Sequence, residues 1–154
     1  MNLPLLRVII VDDREEDTYL LSRLLERAGL ATRPLVFSTA ESAREFLLAA
    51  AAQGVVLPTT AFFDVTLPGQ NGFELLAWLR EQPAFKAMAV ILFSASDEPR
   101  NLGKAAQLGA DCYAIKYPPA PAIHDLLVEA ARTAELAQPR PVLPVHCNLL
   151  HNPG

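Results

Sequence analysis

Polar side chains of different chemistry stand at the ends of four apolar segments in this 154-residue chain. A pair of carboxylates, Asp12 and Asp13, follows the first segment, and Asp64 closes a later one. Two further segments end at Ser94 and Lys116. If the segments are parallel strands, their carboxyl ends share one edge of a sheet, and residues far apart in sequence meet there. That edge would hold three carboxylates, one hydroxyl and one ammonium group.

Three carboxylates within a few ångströms would raise one another's pKa unless a cation compensates their charge. Oxygen ligands in that number suit Mg²⁺, which is usually bound through one or two carboxylates together with phosphate oxygens and water. The ammonium of Lys116 and the hydroxyl of Ser94 suit an anion attached to one of the carboxylates. The set therefore predicts phosphoryl transfer onto Asp64, with the metal and the lysine neutralising charge on the transferred group.

The segments that position these residues alternate between two patterns. Nearly continuous apolar runs are typical of buried strands, and apolar residues that recur at helical spacing lie between them. The predicted strands cover 5–11, 35–37, 61–63, 89–93 and 112–115. The predicted helices cover about 15–28, 39–52, 71–80, 98–108 and a last segment that opens at Pro119 or Pro121. This alternation predicts βαβ units, and so an α/β fold with a doubly wound, five-stranded parallel sheet.

Composition excludes several other classes of protein. The net charge of −4 provides no electrostatic footprint for nucleic acid or an anionic membrane surface. No apolar run approaches the roughly 18 residues of a membrane-spanning helix, and the first residues lack the pattern of a signal peptide. Two cysteines are too few for a disulfide framework, which favours a reducing, cytoplasmic location.

The ordered set of motifs resembles the receiver domain of two-component response regulators over about residues 5–136. That family has an acidic pair after its first strand and a phosphoacceptor aspartate after its third, in a D-x-x-x-P-x-x-x-G loop. A small hydroxyl residue follows the fourth strand, and G-A-x-x-Y leads to a lysine after the fifth. The matching residues are Asp12, Asp13, Asp64, Pro68, Gly72, Ser94, Ala95, Gly109, Ala110, Tyr113 and Lys116. The resemblance implies the flavodoxin-like strand order 2-1-3-4-5.

The same resemblance implies a metal site around the phosphoacceptor. Asp13 and Asp64 would ligate Mg²⁺ directly, and Asp12 would act largely through water. The third protein ligand would be the backbone carbonyl of Thr66, which leaves that side chain free to vary. A plainer interpretation is that Asp12 and Asp13 only cap the first helix.

Residues at the later strand ends would complete the site. Ser94 and Lys116 would hold the phosphoryl oxygens, and Tyr113 would be a switch that turns inward when Ser94 moves. Ser94 could instead cap the next helix, and Tyr113 could be an ordinary core aromatic. The family usually has a proline after the lysine, with a cis bond, whereas this chain has Tyr117 and then Pro118. Either the bond between Lys116 and Tyr117 is cis, or the loop is rebuilt around Pro118.

The implied function is a stand-alone response regulator, not an enzyme, that accepts a phosphoryl group from a sensor histidine kinase and signals through protein contacts. The segment D-C-Y-x-x-K at 111–116 resembles that of regulators paired with phytochrome-type histidine kinases. One alternative is a degenerate receiver that binds partners without phosphorylation. Another is a phosphohydrolase of the haloacid dehalogenase type, although Thr66 stands where those enzymes carry an acid two residues after the nucleophile.

The last residues differ in composition from the rest. We expect residues 1–137 to form the receiver domain and 138–154 to form a Pro-rich, extended tail without an effector domain. The apolar residues of the tail are Val142, Leu143, Val145, Leu149 and Leu150. Because apolar residues gain nothing in water, this tail should dock in an apolar groove of its own domain or of a second copy. Exchange of the tails between two copies predicts a homodimer.

Overall fold

The computed structural model describes residues 6–95 and 98–136, and the side chains up to residue 130. Strands and helices alternate along these residues. The strands are β1 (Val8–Val11), β2 (Leu35–Phe37), β3 (Thr60–Asp64), β4 (Ala89–Ser94) and β5 (Cys112–Ile115). The α-helices are α1 (Glu15–Arg27), α2 (Ala40–Ala52), α3 (Gly72–Glu81), α4 (Pro99–Gln107) and α5 (Ala120–Leu136).

The five strands form one parallel sheet in the order β2-β1-β3-β4-β5. This order confirms the predicted flavodoxin-like fold. Helix α1 contacts α5, and α2 contacts α3, so helices cover the sheet in two separate groups. The ends of β1 and β3 lie side by side in the middle of the sheet, where the predicted site requires them.

The central strands carry the hydrophobic core. Every residue of β1, β3 and β4 is buried, and the rings of Phe62 and Phe93 pack edge to face with centroids 5.5 Å apart. Complete burial of a large apolar side chain contributes about 1.5–3 kcal/mol. By contrast, β2 is an edge strand, and Leu35 and Val36 are exposed. The core therefore stiffens the strands whose ends carry the acidic residues.

Two local features place the beginning of α3 in contact with the end of β3. Asn71 and Glu74 form a capping box, in which Asn71 Oδ1 accepts from the Glu74 backbone N–H at 2.9 Å. A Cβ at Gly72 would lie 2.4 Å from the backbone carbonyl oxygen of Asp64. Only glycine allows this close approach, so Gly72 brings α3 against the strand that carries Asp64.

Two sequence predictions need qualification. Strand β1 begins at Val8, later than predicted, although the carbonyl of Arg7 still accepts from the backbone N–H groups of Thr59 and Thr60. The tail at 138–154, and with it the predicted exchange of tails, lies outside the described residues. Among the residues that are described, no helix is both long and apolar enough to cross a membrane.

Candidate functional site

Three carboxylates converge at the carboxyl edge of the sheet. Asp64 ends β3, and the pairing of Val11 with Phe63 places the β1 end beside it. Asp12, Asp13 and Asp64 each offer one oxygen, and these oxygens lie within 4.8 Å of one another. Asp12 and Asp64 are buried, whereas Asp13 is exposed. The structure thus brings together the three acids that the sequence placed at two strand ends.

The two carboxylate oxygens of Asp64 differ in their hydrogen-bond partners. Oδ1 accepts from the backbone N–H of Thr66 at 3.3 Å and from the Thr66 hydroxyl at 3.4 Å, and it lies 3.6 Å from Lys116 Nζ. Within the described residues, Oδ2 has no bonding partner. Burial raises the pKa of Asp64, and although Lys116 opposes this rise, the charge of Asp12 adds to it. One oxygen of a buried carboxylate is therefore available to an incoming group.

Lys116 lies among three carboxylates. Its Nζ donates to Asp12 Oδ2 and to Asp17 Oδ2, each at 2.9 Å, and lies farther from Asp64. Burial by itself would lower the pKa of Lys116, but the bonds to Asp17 and Asp12 outweigh it and raise the pKa. The ammonium is therefore charged at neutral pH. Its backbone N–H donates to the Ser94 carbonyl at 2.9 Å, which holds the lysine against the end of β4.

Sequence reasoning missed Asp17 and the contact it makes with Tyr117. Asp17 lies in the first turn of α1, and the Tyr117 hydroxyl donates to its Oδ1. Burial alone would raise the pKa of Asp17, but the bonds from Tyr117 and Lys116 prevail and lower it. In the sequence Asp17 is one of three acidic residues in the first turn of α1, with Glu15 and Glu16, and that pattern does not single it out. The bond between Lys116 and Tyr117 is cis, which confirms the first of the two alternatives for this loop.

None of Asp12, Asp13 and Ser94 is the N-cap residue of the helix that follows it. The N-cap of α1 is Arg14, and that of α4 is Glu98. Asp12 Oδ1 does accept from the backbone N–H of Arg14 at 3.0 Å, while its other oxygen bonds Lys116. Asp12 therefore combines a turn contact with an ion pair.

Ser94 and Tyr113 lie on neighbouring strands. Ser94 is buried at the end of β4 and pairs with Ile115 of β5, two residues beyond Tyr113. Tyr113 is completely buried, and its hydroxyl oxygen lies 3.4 Å from the amide nitrogen of Asn101 on α4. Tyr113 thus occupies a core position and also contacts α4, and its role as a switch stays a prediction.

The three-acid cluster suits a divalent cation of the Mg²⁺ type. All donors are oxygens, and the 4.8 Å limit is slightly wider than the about 4.2 Å between opposite ligands of an octahedral magnesium ion. A small closure of the side chains, or one intervening water, bridges that difference. Both oxygens of Asp12 already have protein partners, which favours an indirect role for Asp12.

Comparison with known proteins agrees with this geometry. The family model for the response regulator receiver domain matches residues 8–127. The transcriptional regulatory protein GltR of Pseudomonas aeruginosa is 32% identical over 106 residues, which are 69% of this chain and 40% of GltR. The chain thus spans less than half the length of that relative.

Two solved structures share the fold. The Mn²⁺-bound form of the response regulator Rcp1 has a TM-score of 0.64 at 20% identity, covering 80% of this chain and 90% of that one. The phosphorylated cyanobacterial phytochrome response regulator RcpA has a TM-score of 0.67 at 18% identity, covering 84% of this chain and 91% of that one.

Proposed function

This chain belongs to the response regulator receiver family, and from that membership we propose that it accepts a phosphoryl group on Asp64 from a sensor histidine kinase. Receiver domains are signalling phosphoacceptors, not enzymes in the usual sense. The observation that supports the proposal most is the state of Asp64. It is a buried carboxylate at a central strand end, with one oxygen unbonded among the described residues and a charged lysine 3.6 Å from the other.

The transfer is a displacement at phosphorus. One carboxylate oxygen of Asp64 forms a bond to phosphorus while the bond to the imidazole nitrogen of a phosphohistidine breaks. That nitrogen keeps the electron pair, and uptake of a proton from solvent leaves the histidine as a neutral imidazole. Lys116 would hold a phosphoryl oxygen through its ammonium, and the Ser94 hydroxyl would donate to another. Slow attack by water on the acyl phosphate would return Asp64 to its free carboxylate.

Mg²⁺ is the cofactor that fits the cluster. Asp13 and Asp64 would bind it directly, the backbone carbonyl of Thr66 would be a further ligand, and Asp12 would act through water. The ion supplies positive charge where phosphoryl oxygens approach three carboxylates. The fold similarity to a response regulator that was solved with Mn²⁺ supports the binding of a divalent cation.

Partners follow from the same resemblance. The fold similarity to a phytochrome response regulator supports a phytochrome-type histidine kinase as the donor. The signal would pass to a downstream protein through phosphorylation-dependent contacts, and a homodimer through the residues after 137 is part of the proposal. The buried thiol of Cys112 is compatible with a reducing, cytoplasmic location.

Intact-mass spectrometry after incubation with acetyl phosphate and Mg²⁺, or with a phosphorylated kinase, tests the assignment. We expect a single phosphate adduct on the wild type that disappears with a chelator and in Asp64→Asn. Asp125→Asn is the matched control, because Asp125 is an exposed carboxylate on α5 whose removal changes the charge equally. An adduct that persists in Asp64→Asn would show that another residue is the acceptor.

The same experiment also tests two other functions. A wild type that never forms the adduct with any donor, yet still binds a partner, would be a degenerate receiver. Steady release of phosphate from phosphomonoesters would indicate a phosphohydrolase. The position of Asp64 on β3 and of Thr66 two residues later disfavours the second outcome.

A further inference from the structure

The lysine of the site is held by a carboxylate outside the three-acid cluster. Lys116 Nζ bonds Asp17 Oδ2 and Asp12 Oδ2 at the same distance, 2.9 Å, and lies 3.6 Å from Asp64 Oδ1. An ammonium has three donors, and the two short bonds use two of them. The separation from Asp64 is longer than a hydrogen bond. Lys116 is thus drawn toward Asp12 and Asp17 and away from the oxygen beside which a phosphoryl group would form.

Asp17 also ties α1 to the loop that follows β5. Its second oxygen accepts from Tyr117, so one carboxylate bonds two consecutive residues of that loop. The side chains of Asp17 and Lys116 are only 15% and 9% exposed. Water therefore screens this ion pair poorly, and the contact restrains the lysine more strongly than a surface pair would.

We infer that Asp17 is a positioning residue for Lys116: it holds the ammonium back from Asp64 in the unphosphorylated protein and competes with the phosphoryl group for it. The inference rests on the proposed function, in which Lys116 bonds a phosphoryl oxygen on Asp64. One donor of the ammonium remains for phosphate, but Nζ must move toward Asp64 to bond a phosphoryl oxygen there, and this movement lengthens its short bonds to Asp12 and Asp17.

The bond to Asp17 is the one that opens. Asp12 bonds the backbone of Arg14 as well as Lys116, and it belongs to the cluster that would hold the metal. Asp17 lies outside that cluster, at the start of a helix, with its second anchor on a tyrosine of a loop. Removing the charge of Asp17 therefore releases Lys116 toward the phosphoryl group and leaves the three-acid cluster intact.

Affinity for beryllofluoride, a phosphoryl mimic, measures this competition directly. With Mg²⁺ present, Asp17→Asn should bind beryllofluoride about threefold to tenfold more tightly than the wild type, as followed by titration with fluorine NMR. Glu16→Gln is the matched control. It removes one negative charge from the same helical turn, at a side chain that is 82% exposed, and should change the affinity less than about twofold.

A double-mutant cycle separates positioning from simple charge removal. In a Lys116→Met background, Asp17→Asn should have no more effect than Glu16→Gln, because the ammonium for which Asp17 competes is gone. Equal tightening in both backgrounds would overturn the inference. Tyr117→Phe keeps every charge and removes one anchor of Asp17, so it should tighten binding in the same direction by about twofold. If Asp17→Asn does not fold, this variant decides the question, and unchanged binding overturns the inference.

Failure of this inference can be told apart from failure of the proposed function. A wild type that is phosphorylated on Asp64, with Asp17→Asn no tighter than Glu16→Gln, overturns the role of Asp17 alone. A wild type that neither accepts phosphate nor binds beryllofluoride overturns both. Asp64→Asn serves as the blank for binding at the acceptor.

Discussion

At the amino edge of the sheet, one arginine and one aspartate balance each other, whereas at the carboxyl edge one buried lysine faces several carboxylates. Arg80 Nη2 lies 3.0 Å from Asp111 Oδ2, and that oxygen also accepts from the backbone N–H of Val90 at 2.8 Å. The other donors of Arg80 reach the carbonyls of Gly109 at 2.9 Å, Met88 at 2.7 Å and Lys86 at 3.2 Å. This cluster, the Arg80 clamp, joins α3 to the beginnings of β4 and β5.

The carboxyl edge has no such balance. Lys116 bonds Asp12 and Asp17 and lies near Asp64, and the exposed Asp13 adds a further carboxylate. Burial raises the pKa of Asp64, with the charge of Asp12 adding to the rise. The folded chain therefore holds negative charge there at a cost in stability, and a bound cation would relieve it.

This difference indicates that the Arg80 clamp stabilises the fold, whereas the acids around Lys116 are arranged for chemistry. A buried ion pair whose donors and acceptors all have partners resists change, because the loss of either member leaves an unpaired charge. A cluster with excess charge of one sign and a perturbed pKa is a candidate functional site. Substitutions at the two edges should therefore shift stability in opposite directions.

The largest effect is expected from Arg80→Met. The substitution removes the Arg80 cation from the partly buried Asp111 and removes donors from three carbonyl groups, so the free energy of unfolding should fall by about 3 kcal/mol. Urea denaturation measures the loss. Arg100→Met is the control, because the Arg100 side chain is 89% exposed and pairs only loosely with Glu98, and it should stay within about 0.5 kcal/mol of the wild type. A loss below about 1 kcal/mol for Arg80→Met would contradict the stabilising role of the clamp.

A smaller effect of opposite sign is expected from Asp64→Asn. The amide keeps an acceptor for the Thr66 backbone and removes a buried charge that repels Asp12, at the cost of the attraction to Lys116. Since burial raises the pKa of Asp64, the unfavourable contributions prevail, and the free energy of unfolding should rise at neutral pH without Mg²⁺, by less than Arg80→Met lowers it. Asp125→Asn should leave it nearly unchanged. A destabilised Asp64→Asn would mean that the pair with Lys116 outweighs the repulsion.

The two edges also differ in how many of their interacting residues could be predicted from the sequence. Strand-end residues such as Asp64 and Lys116 could be predicted, because apolar runs locate strands and a parallel sheet aligns their carboxyl ends. Arg80 and Asp111 could not, because the reach of an arginine from a helix to a later strand depends on the path of the chain between them. Asp17 was missed for a similar reason, since its partners come from the loop after the last strand.

The smallest expected effect is the structural response of β5 and α4 to a phosphoryl group at the carboxyl edge. Ser94 and Tyr113 lie on neighbouring strands, and the Tyr113 hydroxyl meets Asn101 of α4. A switch between two packings there would require the phosphoryl group to favour one of them by a few kcal/mol. We therefore expect beryllofluoride to change amide exchange within residues 95–117, most of all in α4, and to leave exchange around Arg80 and Met88 on the opposite edge unchanged.

Tyr113→Phe sharpens this last expectation. The variant keeps the buried ring and removes the hydroxyl that contacts Asn101, so its stability should fall by about 1 kcal/mol. Hydrogen exchange followed by mass spectrometry should show that beryllofluoride still alters the loops around Asp64 in this variant but alters α4 less than in the wild type. Tyr19→Phe is a matched control, because the Tyr19 ring is 64% exposed on α1 and far along the chain from β5. If the wild type changes only in the loops around Asp64, Tyr113 is a core residue and no switch. If hydrogen exchange around Arg80 and Met88 changes as much as exchange in α4, the two edges of the sheet are coupled. One edge would then not serve stability independently of chemistry at the other.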